Sequence, residues 1–185
     1  TYYGLRARDL AAGNSVILPT SSPPIPQERE LVQADWDEIA RWMATWTQST
    51  TATLDEARLA RGKALETLGW HADAVAVYRE LWNQVRTSPG GVFQLAQTMY
   101  EAGERWLVIS CAERLMDMGK QAGAAEPPRV LLELAYPTKF ADLVDAECAS
   151  GDLDPLLFLA LVRQESRFDP RAVSYAGATG LTQVM

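Results

Sequence analysis

Apolar positions recur at helical spacing along most of this chain. Trp36, Ile39, Met43 and Trp46 lie three and four residues apart, a single apolar and aromatic stripe that predicts a helix from about Glu28 to Thr47. The opening run TYYGLRARDLAA reads as an earlier helix, and GNSVILPTSSPPIP, from Gly13 to Pro26, separates the two. Its prolines, Pro19, Pro23, Pro24 and Pro26, remove backbone donors and block helix, so the segment is a linker or an extended strap. QSTTATLDEA then resets the chain and offers Thr53 or Asp55 as a helix cap.

Sliding the next stretch on itself exposes a repeat. Gly69 falls on Gly103, and the same offset lays Leu65 on Met99, Leu68 on Ala102, Ala74 on Val108, Val75 on Ile109, Tyr78 on Ala112, Leu81 on Leu115 and Trp82 on Met116. Each pair keeps its apolar or small character. That period, with a glycine between two helical stripes, is the tetratricopeptide-like arrangement, in which a helical hairpin buries its face only by stacking on a neighbour. Leu54 to Lys120 reads as two such hairpins, with the preceding helices as further turns of one superhelix. GKQAGAAEPPR, from Gly119 to Arg129, is a second boundary, dividing the chain into a scaffold of residues 1–128 and a second unit of residues 129–185. In that unit a short helix, RVLLELA, is stopped by Pro137, and Phe140, Val144 and Cys148 mark another that ends in the SGD turn. No stretch alternates with period two, so the fold class is all-α.

Composition narrows the chemistry. A chain with 48 % hydrophobic and 22 % charged residues can bury a real core, and 17 basic against 24 acidic side chains give a formal charge of -7, which argues against nucleic acid or anionic lipid as a partner. Cys111 and Cys148 stand far apart with no CxxC and read as free buried thiols, and His71 is the only histidine. Neither a zinc cluster nor a Ser-His-Asp triad can be assembled from this inventory, whereas metal-independent carboxylate chemistry can. His71, after Trp70 at a helix turn, reads as a polar start residue. All six tryptophans fall in the helical region, and Trp36, Trp46 and Trp82 sit on its apolar stripes as core rather than as sugar platforms. The longest apolar run, Leu156 to Val162, is far short of the roughly 20 residues that span a bilayer, and the chain contains no signal peptide.

The segment LDPLLFLALVRQESRFDP carries the candidate chemistry. Asp154 suits an N-cap and Pro155 the first helical position, so a helix is expected from there to about Ser166, apolar all the way round from Leu156 to Val162 and therefore buried on every side. Glu165, three residues after Val162 and four after Leu161, is placed on an apolar face at its C-terminal end. Partial desolvation and the negative end of the helix dipole would both favour the protonated carboxyl, the condition a general acid requires. A glutamate in that position can equally point into solvent or bond a backbone amide. Arg163 and Arg167 should point away from it. Asp169 and Pro170 form an Asx-Pro turn, AVSYAGATG supplies two glycines for a tight turn, and GLTQVM reads as the start of another helix with Gln183 in its first turn.

In register, the ES pair at Glu165 and Ser166, Phe168, Pro170, Ser174, the GA pair at Gly177 and Ala178, and the GLxQ element at Gly180 to Gln183 resemble the catalytic signature of soluble lytic transglycosylases, the goose-type-lysozyme-like enzymes that cut bacterial peptidoglycan. The resemblance spans Leu153 to Met185, and a helical superhelix leading through an AYP segment at Ala135 to Pro137 is similar to the longer members. It implies that Glu165 is the single acid/base and that Ser166 and Ser174 are hydroxyls around it and its sugar. Gln183 and Met185 would line the glycan cleft. It further implies cleavage between N-acetylmuramic acid and N-acetylglucosamine with formation of a 1,6-anhydro end, without cofactor or metal, in an extracytoplasmic compartment of a bacterium, with peptidoglycan glycan strands as partner and the superhelix free to hold a protein. The chain departs from the pattern at Thr182, where the family has Met, on what the resemblance makes the cleft floor. The family's tyrosine-bearing motifs would follow Met185, so these 185 residues alone are expected to show little or no activity. Two alternatives stand beside this reading: a hydrolytic muramidase, and a non-catalytic helical-repeat module with a vestigial lysozyme-like end.

Overall fold

A computed structural model describes residues 25–49, 52–151 and 153–185. The expected N-terminal helix and most of the proline-rich strap lie outside the described residues. Among those described, the chain is helical, with eight helices and only two isolated antiparallel bridges, Val173 with Thr179 and Thr179 with Val184.

Helix α1, Gln33–Ala44, is shorter at both ends than the predicted Glu28 to Thr47; it buries Trp36, Ile39 and Met43 of the predicted stripe, and Trp42 with them, while Trp46 lies beyond its end and is half-buried against the core. Four helices follow as two hairpins: α2, Glu56–Thr67, packs on α3, His71–Val85, and α4, Pro89–Ala102, packs on α5, Arg105–Gln121. Asp55 is the cap that α2 uses, its carboxylate accepting from the Arg58 amide at 3.0 Å. The repeat is visible in the turns. Gly69 and Gly103 both adopt left-handed backbone, at φ 77° and 79°. Their amides donate to Glu66 O and Tyr100 O, and the next amides, of Trp70 and Glu104, donate to Leu65 O and Met99 O, so each bond of the first turn has its counterpart in the second. Glycine is required there because a side chain resists that φ. Inside the first hairpin Gly62 has a different duty: a Cβ on it would overlap the Tyr78 ring, so its absence is what lets α2 approach α3.

The main core is built from α1, α3, α4 and α5, and the short helix α6, Arg129–Ala135, joins it through Val130, Leu131, Leu134 and Ala135. The division at residue 129 expected from the Gly- and Pro-rich stretch therefore does not coincide with the division between cores. A second, smaller core gathers Ala141, Val144 and Cys148 from α7, Ala141–Gly151, Leu159 and Val162 from α8, Pro155–Ser166, and Phe168 from the loop after it, and takes Ile25 from the segment before α1 and Ile109 from α5. Helix α5 thus serves both cores. Cys111 lies in the first and Cys148 in the second, both free and buried.

Two expectations about the C-terminal unit are corrected. Helix α8 starts as predicted, with the Asp154 carboxylate accepting from the Leu156 and Leu157 amides, but it is not buried all round. Only Leu159, Val162 and Ser166 are buried, while Leu156 and Leu161 are 52 % and 42 % exposed, because the neighbouring elements pack against one face alone. Nor does a helix follow Gly180. Residues 180–183 form turns and Val184 pairs with Thr179, with φ 75° at Gly180 and 52° at Gln183, and the Gln183 amide nitrogen donates to Gly180 O and Ala172 O, taking the carbonyl that a first helical turn would have used.

Candidate active site

The end of α8 is held by the scaffold. Arg163 and Arg167, two residues either side of Glu165, both turn toward α5. The Arg163 Nη2 and Arg167 Nη1 donate to the two oxygens of Glu113, the latter at 2.6 Å, and Arg167 Nη1 also reaches Ser110 Oγ at 3.2 Å. Arg163 further donates from Nε to Ala135 O and lies over the Tyr136 ring at 4.4 Å. Burial pushes the Glu113 carboxyl up, but the hydrogen bonds and charges of Arg167 and Arg163 outweigh it and hold the group below the usual carboxylate range. The arginines point away from Glu165, as the helical spacing predicts. The backbone then leaves the helix through two left-handed non-glycine residues, Arg167 at φ 51° and Phe168 at φ 63°, an arrangement that costs about 1–2 kcal/mol per residue and is held by the Glu113 clamp and by the complete burial of Phe168.

A second tether joins the loop after α8 to the first hairpin. His71 bridges two carboxylates, Nδ1 to Glu66 at 2.7 Å and Nε2 to Asp169 at 3.0 Å. Arg171 contacts Glu66 through Nη1 and donates to Glu104 through Nη2 at 3.1 Å, and its own amide donates to Asp169 Oδ1. Trp106 Nε1 donates to the other Glu104 oxygen. Burial, followed by the Glu66 charge, pushes the Glu104 carboxyl up against the pull of Arg171, and Tyr78 beneath it is pushed up to about 12 by burial and by the same two carboxylates. His71 is therefore more than the polar start residue expected of it: it fastens the C-terminal unit to the scaffold. Ligand atoms of Glu66, His71 and Glu104 lie within 4.8 Å of one another, yet the Arg171 guanidinium already bonds both glutamates, so the set does not fit a metal ion.

Between the two tethers lies a cleft of about 910 Å³, lined on the scaffold side by Trp70, His71 and Asp73 at the start of α3 and by Arg79 farther along it, and on the C-terminal side by Glu165, Ser174 and Gln183. Glu165 is exposed on it and forms no hydrogen bond or ion pair among the described residues. The desolvation expected from its apolar spacing is absent, because Leu161, one turn earlier on the same face, is itself on the solvent side. Ser166 lines the cleft but its hydroxyl donates to Val162 O. The Ser174 hydroxyl accepts from the Ala178 amide and closes the turn that Gly177, at φ 88°, permits. Met185 is 90 % exposed and is not brought to the cleft, and Thr182 lines a separate apolar groove of about 540 Å³ with Phe140, Phe168 and Leu181 rather than the floor beside Glu165.

The structure thus brings together Glu165, Ser166, Ser174 and Gln183 and adds the scaffold wall, which spacing alone does not reveal. Trp70, Asp73 and His71 are far from Glu165 in sequence. The one local signal was that Trp70 lies off the apolar stripes.

No curated protein and no solved structure matches the chain. Residues 142–185, which comprise most of α7, all of α8 and the loop that closes the cleft, match the family model of the transglycosylase SLT domain.

Proposed function

We propose that the chain carries the acid/base side of a peptidoglycan lytic transglycosylase. Glu165 protonates the oxygen of the β-1,4 bond between N-acetylmuramic acid and N-acetylglucosamine, and then takes the proton of the muramic C6 hydroxyl as that oxygen closes on the anomeric carbon to give the 1,6-anhydro end. The observation that carries this reading is an exposed carboxyl without a partner among the described residues, on a wide cleft and inside a segment that matches the SLT model. Asp169, the nearest acid in sequence, is committed to His71 and Arg171 and is not free for a second role. Ser174 and Gln183 are assigned to the substrate wall and Ser166 to the end of the helix. In this reading residues up to α6 form a scaffold, the remainder belongs to a lysozyme-like domain, and the substrate implies the bacterial envelope. Among the described residues no helix is long and apolar enough to cross a membrane.

One observation favours a second reading, hydrolysis. Asp73 is exposed on the scaffold side of the same cleft, a second carboxylate of the kind that activates water in a hydrolase. Digestion of purified sacculi by the full-length protein, with mass analysis of the released muropeptides, separates the two. Transglycosylation gives anhydro ends and is abolished by Glu165→Gln while Asp73→Asn retains it. Reducing ends that disappear with Asp73→Asn would establish the hydrolase, and cleavage unchanged by Glu165→Gln would remove Glu165 from the chemistry.

A further inference from the structure

Five of the six tryptophans have a structural duty. Trp36 and Trp42 belong to the main core, and Trp46, Trp82 and Trp106 pack against it. Trp70 belongs to neither core and is 59 % exposed. Nor does its side chain serve the helix it precedes. It occupies the N-cap of α3 without making a cap hydrogen bond, and the turn is already closed by the backbone bonds of Gly69 and Trp70. The repeat does not require an aromatic group either, since the offset that lays Gly69 on Gly103 places Glu104 at the matching N-cap of α5. A large apolar ring more than half exposed and outside both cores is a poor use of a surface position unless something covers it.

What the ring faces narrows the choice. Trp70 lines the same cleft as Glu165, and its neighbour His71 is tied to Asp169 at 3.0 Å, so the wall that carries the indole is fixed relative to the loop after α8. The cleft also carries hydrogen-bonding side chains, Gln164, Ser174 and Gln183 from the C-terminal segment and Asp73 and Arg79 from α3, among apolar groups that include Trp106 and Val173. An exposed flat apolar ring beside hydrogen-bonding groups suits a ligand that is itself flat and apolar on one face and polar at its rim. A pyranose ring has that character, with its axial C–H bonds on the face and hydroxyl and N-acetyl groups at the edge.

We propose that Trp70 is a stacking platform for a sugar ring of the glycan strand, so that the helical scaffold supplies one wall of the substrate site instead of acting only as a support. This inference rests on the carbohydrate reading of the cleft given above. Its consequence is that the scaffold contributes affinity while Glu165 contributes chemistry.

The test uses the full-length protein, an N-acetylglucosamine tetramer as binding probe and sacculi as substrate. Trp70→Ala should weaken tetramer binding and raise KM about tenfold, leave kcat within a factor of about three and melt with the wild type, since the side chain is exposed. Trp70→Phe should retain most of the affinity because a ring is kept. Glu165→Gln should bind the tetramer normally while failing to cleave. Trp70→Ala that binds as tightly as the wild type overturns the platform and leaves the role of Glu165 intact. A Trp70→Phe variant as weak as Trp70→Ala, with both folded, also overturns it. A wild-type protein that neither binds the tetramer nor cleaves sacculi overturns the platform and the transglycosylase reading together.

Discussion

Glu113→Gln should loosen the end of the helix that carries Glu165, and the size of the effect follows from the clamp geometry. The Glu113 carboxylate accepts from Arg163 and Arg167 at once, and its side chain is 31 % exposed against 21 % and 42 % for the arginines. A hydrogen bond to a charged group is worth about 1.5–3 kcal/mol when sheltered and an exposed ion pair about 0–1 kcal/mol, so this half-sheltered pair of bonds should contribute about 1–2 kcal/mol in all. For a chain of this length that is a fall in Tm of about 2–8 °C. The pH dependence identifies the source. The folded carboxyl titrates below its unfolded value, so its stabilisation is present above the ordinary glutamate range, about 4.3, and is lost as the pH falls through the lower folded value. Thermal melts of the two proteins should therefore differ at neutral pH and converge in acid, and a double-mutant cycle with Arg167→Gln should return a coupling of at least about 0.5 kcal/mol. The clamp is refuted by equal melting temperatures at neutral pH, by a gap that persists undiminished in acid, or by additive single-mutant effects.

Two further expectations test the turns and the buried acid. Gly103→Ala meets no atom within 4 Å, so its cost is conformational alone, about 1–2 kcal/mol from φ 79°, and a urea midpoint that does not fall would contradict the left-handed turn. Glu104 has the opposite sign to Glu113. Its folded carboxyl is raised by burial, so the stability it contributes is full below the unfolded value and is lost as the pH rises through the folded one. Glu104→Gln should flatten that decline in melts taken from mildly acidic to neutral pH, and an unchanged slope would show that another group is responsible.

How much of this was legible in the sequence depends on the range of the interaction involved. Local interactions follow directly from residue order. The stripe at Trp36, Ile39 and Met43, the Asp154-Pro155 start of α8, the Asp55 cap and the matching turn glycines Gly69 and Gly103 are each set within a turn or two of helix, where propensity and capping act. The signature residues around Glu165 are equally local, and residues 142–185 match a family model on that basis.

Three things could not be read that way. The exposure of Glu165 depends on which face of an all-apolar helix is covered, and that is a property of its neighbours rather than of its own sequence. The turns after Gly180 replace a plausible helix because the Gln183 amide finds Ala172 O, a partner supplied by a loop folded back upon itself. The cleft wall at Trp70 exists because His71 and Arg171 join groups far apart in the chain. Residue order alone determined the all-helical class and the identity of the candidate acid. The tertiary structure alone decided that this acid stands in solvent opposite the scaffold, because burial and ion pairing between distant segments depend on how those segments pack.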